Sequence, residues 1–208
     1  MISQLALATG NAHKIHELKE LLSSSRISSP PEIYSPNDCG ISSFSPMEDG
    51  LTFAENSAIK SKALFALTGI PSLADDSGIS VDALDGRPGI YSARYGGEGL
   101  TDKDRALKLL QEMKSIPNRF AHFDCVLSFT TEEGTISFEG RVSGEIADEY
   151  DLSGNGFGYD PIFFYPPLGK CFSAISLEAK NNISHRAQAL QKFVDYLAET
   201  TGPPVRRL

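Results

Sequence analysis

Apolar positions along the chain fall into two periods, and their alternation predicts an α/β protein. Residues 2–8 form a short apolar run, read as a buried strand, that breaks at Thr9-Gly10-Asn11. Ile15, Leu18, Leu21 and Leu22 follow at helical spacing, with Lys14 in the first turn. Residues 23–46 are rich in Ser and Pro and read as a loop with one short strand near Glu32–Tyr34. Thr52-Phe53-Ala54-Glu55 has the spacing of a capping box and opens a helix to about Thr68. Phe53, Ile59, Ala63, Ala66 and Leu67 supply its apolar positions, and Asn56 and Lys60 lie one turn apart. Ile70 to Ala74 is again strand-like and ends in Asp75-Asp76, followed by Ser77-Gly78 as a turn.

The second half continues in the same manner. Ile79 to Leu84 resumes a strand pattern, and Gly86 to Gly97 is a Gly-rich connection carrying two arginines and two tyrosines. Thr101 to about Lys114 is an amphipathic helix with Thr101 as N-cap and Leu107, Leu110 and Met113 inward. Ala121–Thr130 and Thr135–Ser143 form two strands around Glu132-Glu133-Gly134, so a hairpin and a mixed sheet are expected. Gly154 to Pro161 sets three glycines around Phe157, Tyr159 and Asp160, before a strand over 162–165. A closing helix begins near Ser184-His185-Arg186 and runs to about Glu199, with Ala187, Leu190, Val194 and Leu197 on its core face.

Composition narrows the class. At 208 residues the chain suits one large domain or two lobes sharing a core. A net charge of −8 argues against a broad nucleic-acid or membrane-surface partner, which needs a basic face. Local cations or a divalent metal still leave room for an anionic ligand. Cys39, Cys125 and Cys171 show no CxxC or Cys/His spacing, so neither a zinc site nor a disulfide framework is expected, and a reducing cytoplasm is. The N-terminal run lacks the basic flank of a signal peptide and the length of a membrane span.

The candidate chemistry lies in residues that local structure leaves unexplained. Asp75 and Asp76 are adjacent acids at the end of an apolar run, to be read as a site or as a capped turn. Thr9 to Lys14 makes a small-residue turn into a helix N-terminus with a lysine. That arrangement suits phosphate, although the P-loop spacing is absent and many α/β chains begin this way. The capping box accounts for Glu55 but not for Glu48. Phe157 and Tyr159 are either core residues or ring faces, and His185 and Arg186 either meet a ligand or lie on a solvated helix. Taken together, Lys14, Lys60, Lys180 and Arg186 as cations, Glu48, Asp75 and Asp76 as acids, and two aromatic rings suit a nucleoside triphosphate with Mg²⁺. A sensor that binds without hydrolysis and a carboxylate-pair glycosidase remain alternatives, the latter weakened by the cations.

In these segments the chain resembles the inosine/xanthosine triphosphate pyrophosphatases. The matching motifs are Thr9-Gly10-Asn11-Ala12-His13-Lys14, Glu55-Asn56 with Lys60, and Leu73 to Gly78, then Pro88 to Tyr95, Phe157 to Pro161 and Ser184 to Arg186. They occur in family order and span nearly the whole chain. The resemblance implies an elongated two-lobed α/β fold around a mixed sheet flanked by helices. It also implies a single domain over residues 1–208 with one catalytic cleft between the lobes, a cytoplasmic homodimer, and Mg²⁺. The implied reaction converts ITP, dITP or XTP to the monophosphate and pyrophosphate. Asp76 is then the general base and a metal ligand, with Glu48 the second. Thr9, Gly10, Asn11, Ala12, His13, Lys14, Lys60 and Ser77 bind the triphosphate. Phe157, Gly158, Tyr159, Asp160, Lys180, His185 and Arg186 hold the base and sugar.

Overall fold

The structure, a computed structural model, describes residues 2–9, 11–23, 25, 27, 29–153 and 156–201, apart from the side chains of residues 12, 13, 17 and 201. The expectations placed on Gly10, on the side chains of Ala12 and His13, and on Gly154 and Asn155 therefore lie outside the described residues.

Seven strands form one mixed sheet in the order β2-β1-β3-β4-β5-β6-β7, flanked by helices. In chain order these strands are β1 (Gln4–Leu7), β2 (Glu32–Tyr34), β3 (Ser72–Val81), β4 (Phe120–Thr131), β5 (Gly134–Ile146), β6 (Phe163–Tyr165) and β7 (Lys170–Cys171). The helices are α1 (Ala12–Ser23), α2 (Phe53–Thr68), α3 (Asp102–Glu112), α4 (Leu177–Ile183) and α5 (His185–Thr201). β1 pairs in parallel with both β2 and β3, while β5–β6 and β6–β7 are antiparallel. Chain direction across the sheet reverses after β1. The order β2-β1-β3 makes the carboxyl end of β1 a topological switch point. Thr9 and the start of α1 follow that end.

Contacts divide the chain into two compact units, Met1–Asp76 with Val126–Gly140 and Ala187–Leu208, and Ser77–Cys125 with Arg141–Arg186. β3, β4 and β5 each contribute residues to both. The first unit has a small apolar centre of Ala6, Ala8, Leu64 and Ala74. In the second, Ile79, Val81, Leu109, Met113, Phe123, Ile162, Phe163 and Phe172 pack as one core.

α2 forms as its sequence dictates. Thr52 accepts from the Glu55 N–H at 3.1 Å, Glu55 accepts in return from the Thr52 N–H at 3.1 Å, and Gly69 closes the helix at φ 66°. Against the sheet the helix presents hydroxyls. Ser57 meets Ser128 at 2.7 Å and Ser61 meets Thr130 at 2.8 Å, while Ser128 and Thr130 continue to Ser137 and Thr135 on β5. Leu67, expected in the core, is 65% exposed because those hydroxyl positions take the buried face.

Several expectations shift in register. Ser77-Gly78 is not a turn: β3 runs unbroken from Ser72 to Val81, with Asp75 and Asp76 in mid-strand. Gly78 is required there for close approach, since a Cβ would lie 2.5 Å from the Gly89 carbonyl oxygen and against Ser92 Oγ. The strand pattern expected to Leu84 stops at Val81 and passes into a single tight turn over Asp82–Leu84. On α3 the buried stripe is Ala106, Leu109 and Met113, and Leu107 is 42% exposed; small Ala106, not Leu107, fits against the packed second-unit core. The closing helix starts where expected, at His185, and a separate short helix over Leu177–Ile183 precedes it, ended at Ser184, whose ψ of 157° is extended.

Candidate active site

In the first unit the charged residues gather around β3. Its burial pattern encloses a partly open window at Asp75, Asp76 and Ser77 between buried Leu73-Ala74 and buried Gly78-Ile79. Successive strand residues face opposite sides, so the two acids do not meet as an adjacent like-charged pair. Each finds its own lysine. Lys14 Nζ lies 2.6 Å from Asp75 Oδ2. Lys60 Nζ lies 3.1 Å from Asp76 Oδ1 and 3.4 Å from Glu48 Oε1. Lys14 is set by the start of α1, where its N–H donates to Asn11 Oδ1 at 3.3 Å and the Asn11 N–H donates to Thr9 Oγ1 at 3.1 Å. Asp75, grouped with the acids by sequence, is the partner of Lys14.

Electrostatics sharpen this group. Burial favours neutral Lys60, but the carboxylates of Asp76, Asp75 and Glu48 outweigh it and lift its pKa above the ordinary lysine value. Burial also raises the Asp76 pKa; Lys60 opposes the rise, while Glu48 and Asp75 add to it. Asp76 Oδ2 is buried and has no hydrogen-bond partner among the described residues. The carboxylates of Asp76 and Glu48 thus converge on one ammonium, and one buried oxygen is still unspent. Oxygen-only donors around a positive charge suit a hard divalent cation completed by phosphate and water. No group of three or more His, Cys, Asp or Glu able to cage a metal occurs among the described residues.

A separate group forms in the second unit. Lys180 on α4 and Asp160 are both nearly fully buried and lie 2.6 Å apart, Nζ to Oδ2. The same oxygen accepts the Phe157 N–H at 2.9 Å. Gly156, at φ 85°, is needed there because a Cβ would lie 2.5 Å from it. The Gly158 N–H donates to Asp102 Oδ2 at 3.1 Å, which ties the segment to α3. Lys180 Nζ stands 4.8 Å from the centroid of the Phe157 ring and Arg186 Cζ stands 5.8 Å from it. Arg186 is buried and donates to Ser77 Oγ at 3.4 Å, and His185 stacks on Phe123 with centroids 4.8 Å apart. Buried cations beside a ring left 36% exposed are costly as structure and fit a planar, oxygen-bearing ligand.

Of the two readings open for Tyr159, core or ring face, its ring takes the first. Its hydroxyl donates to the Ser92 carbonyl at 2.8 Å, so it braces the segment. Burial raises its pKa, which keeps that proton in place. Ser92 itself accepts the Ile79 N–H at 3.0 Å and donates to the Gly89 carbonyl at 2.6 Å. Sequence reasoning gave Ser92 no role, although it lies within the Pro88 to Tyr95 motif.

Residues 5–196 match the family model described as the Ham1 family. A dITP/XTP pyrophosphatase of Leptospira biflexa is 53% identical over 193 residues, covering 92% of this chain and 95% of that protein. The Ham1 protein of Staphylococcus aureus superposes with a TM-score of 0.86 at 38% identity, over 95% of this chain and 100% of that one. A HAM1 protein from Coxiella burnetii gives a TM-score of 0.86 at 35% identity, over 94% and 98% respectively.

Proposed function

The chain belongs to the Ham1 family, and from that premise we propose that it hydrolyses noncanonical purine nucleoside triphosphates, dITP, XTP and ITP, to the monophosphate and pyrophosphate. The observation that carries the reaction is the convergence of Glu48 and Asp76 on Lys60 with Asp76 Oδ2 unspent. The two groups of residues suit different ends of one nucleotide. Lys14, Lys60 and the backbone that opens α1 hold the triphosphate, with Ser77 beside it. Lys180, His185, Arg186 and Phe157 hold the base and sugar, and Asp160 and Tyr159 keep them in place.

Glu48 and Asp76 fit Mg²⁺, which when bound would neutralise charge on the phosphates and polarise the α-phosphorus for attack. Asp76 takes a proton from water as the water oxygen bonds to the α-phosphorus. The α–β bridging bond breaks and its electron pair leaves with pyrophosphate. In the chain by itself burial raises the Asp76 pKa and Lys60 opposes the rise, favouring the ionised form that accepts a proton.

Base selection follows from donors. A guanidinium only donates hydrogen bonds, so buried Arg186 accepts a 6-oxo purine and is left unmatched by the 6-amino group of adenine. Guanine shares the 6-oxo group and must be refused at its 2-amino group. We further infer a homodimer in the cytoplasm: Met47 and Leu51 are exposed apolar side chains suited to a second copy, and Cys39, Cys125 and Cys171 are thiols rather than disulfides, which suits a reducing compartment.

The deciding experiment measures products from ITP and ATP side by side, with Mg²⁺ and then with EDTA. Metal-dependent pyrophosphate from ITP and little from ATP is expected. Orthophosphate in its place means attack at the γ-phosphorus and a wrong assignment of the site. Light scattering at twice the monomer mass is expected for the dimer.

A further inference from the structure

Asn56 lies beside the acid group and has no part in the chemistry above. Its side chain is 1% exposed. Oδ1 accepts the Gly50 N–H at 2.9 Å, and this fixes which way round the amide lies, because the reverse would set two donors against each other. Nδ2 is then buried with no hydrogen-bond partner among the described residues. An unpaired buried donor is rare in a folded protein and costs stability. It is retained where something outside the chain supplies the acceptor.

Two features locate that acceptor. Asn56 stands one turn before Lys60 on α2, so the two side chains share a face, and Lys60 Nζ is the ammonium that Glu48 and Asp76 approach. The segment bearing Glu48 is also anchored on this turn. The N–H groups of three consecutive residues, Gly50, Leu51 and Thr52, end on Asn56 Oδ1 and Glu55 Oε2 at 2.9, 2.6 and 3.1 Å. Gly50 sits so close that a Cβ would lie 2.7 Å from Asn56 Oδ1. The amide is therefore held by its oxygen, one turn before Lys60 on the same face of the helix.

We propose that Asn56 is a further binding group of this site, whose Nδ2–H donates to an anionic phosphate oxygen of the bound triphosphate. The inference rests on the triphosphate reading given above. Lys60 supplies charge and can rotate its donors, whereas Asn56 supplies one neutral donor in a fixed direction, which leaves the acids unneutralised.

The test uses the full chain with a non-hydrolysable α,β-methylene analogue of ITP, in wild type, Asn56→Leu and Asn56→Asp. Leucine fills similar space without a donor. Aspartate keeps an acceptor for the Gly50 N–H and so keeps the anchor. Without ligand, Asn56→Asp is expected to melt within a few degrees of wild type, since it keeps the acceptor for the Gly50 N–H, while Asn56→Leu loses that acceptor and is expected to melt lower but still fold. Calorimetry is expected to show the analogue bound at least tenfold more weakly by both variants. Binding within threefold of wild type in either folded variant overturns the proposal. If the wild type hydrolyses ITP while the variants bind normally, this inference alone fails. A wild type that neither binds nor hydrolyses ITP removes the triphosphate reading, and this inference with it.

Discussion

Lys60 Nζ and Asp76 Oδ1 lie 3.1 Å apart, one from the second turn of α2 and the other from the middle of β3, and this hydrogen-bonded ion pair is the centre of the acid group. Asp76→Asn keeps the shape and removes the proton acceptor. Turnover of ITP is expected to fall by about 10²–10⁴-fold, the usual contribution of a positioned base, while nucleotide binding stays measurable. Wild-type turnover in that variant would falsify the assignment. Lys60→Gln is expected to raise the KM for ITP as well as lower kcat, because the same ammonium serves the carboxylate and the triphosphate.

Arg186 carries the second expectation. Arg186→Ala removes the donor that matches a 6-oxo group, a match of about 1–3 kcal/mol. The ratio of kcat/KM for ITP to that for ATP should then fall by roughly 5- to 150-fold, through loss on ITP. An unchanged ratio places base selection elsewhere.

Gly78→Ala tests the close approach of β3 to Ser92. The new methyl carbon would sit 2.5 Å from the Gly89 oxygen, which is backbone and cannot swing aside. Overpacking of this kind costs about 1–3 kcal/mol, which in a chain of this size lowers Tm by roughly 2–12 °C. Thermal unfolding of the two proteins measures it, and an unchanged Tm means that the strand has moved aside at little cost.

Tyr95 and Glu112 give a pH-dependent contribution to stability. The Tyr95 hydroxyl donates to Glu112 Oε2 at 2.6 Å. That bond lowers the Glu112 pKa from 4.5, and burial together with the bond lifts Tyr95 to about 12. A carboxylate lowered on folding stabilises above its unfolded value and loses this as pH falls through the folded one. A phenol raised on folding stabilises below its unfolded value of 10.0 and loses this as pH climbs toward about 12. Tyr95→Phe should therefore lower Tm most between these limits, with the deficit shrinking at both ends. A deficit independent of pH means that only packing was lost.

What the sequence disclosed and what it hid follow one physical division. α2 was legible to its ends because its cap, Thr52 with Glu55, and its stop, Gly69, are local chemistry. The stripe on α3 was displaced because Leu107 outranks Ala106 in hydrophobicity, yet space against the core decides which is buried. The acids were read as a strand end because the apolar run stops there, whereas strand continuation depends on pairing with neighbours that no local pattern announces. The Lys14–Asp75 pair and the hydroxyl of Tyr159 were hidden for the same reason, since their partners are remote in the chain. Of the residues that the resemblance implies, Glu48, Lys60 and Asp76 lie together in one group, and Phe157, Asp160, Lys180 and Arg186 in the other.

The hydroxyls beneath α2 have a mechanical consequence. A helix seated on aliphatic side chains can roll or creep by a fraction of a turn at little cost, because dispersion contacts are many and undirected. Ser57 and Ser61 permit no such roll, since each is bonded to one atom of β4, at 2.7 and 2.8 Å, and a small rotation breaks both bonds together. Asn56 and Lys60 precede those serines by one residue each, so their azimuth about the helix axis is indexed by the same two bonds. The helix works as a keyed shaft, with its teeth cut in β4.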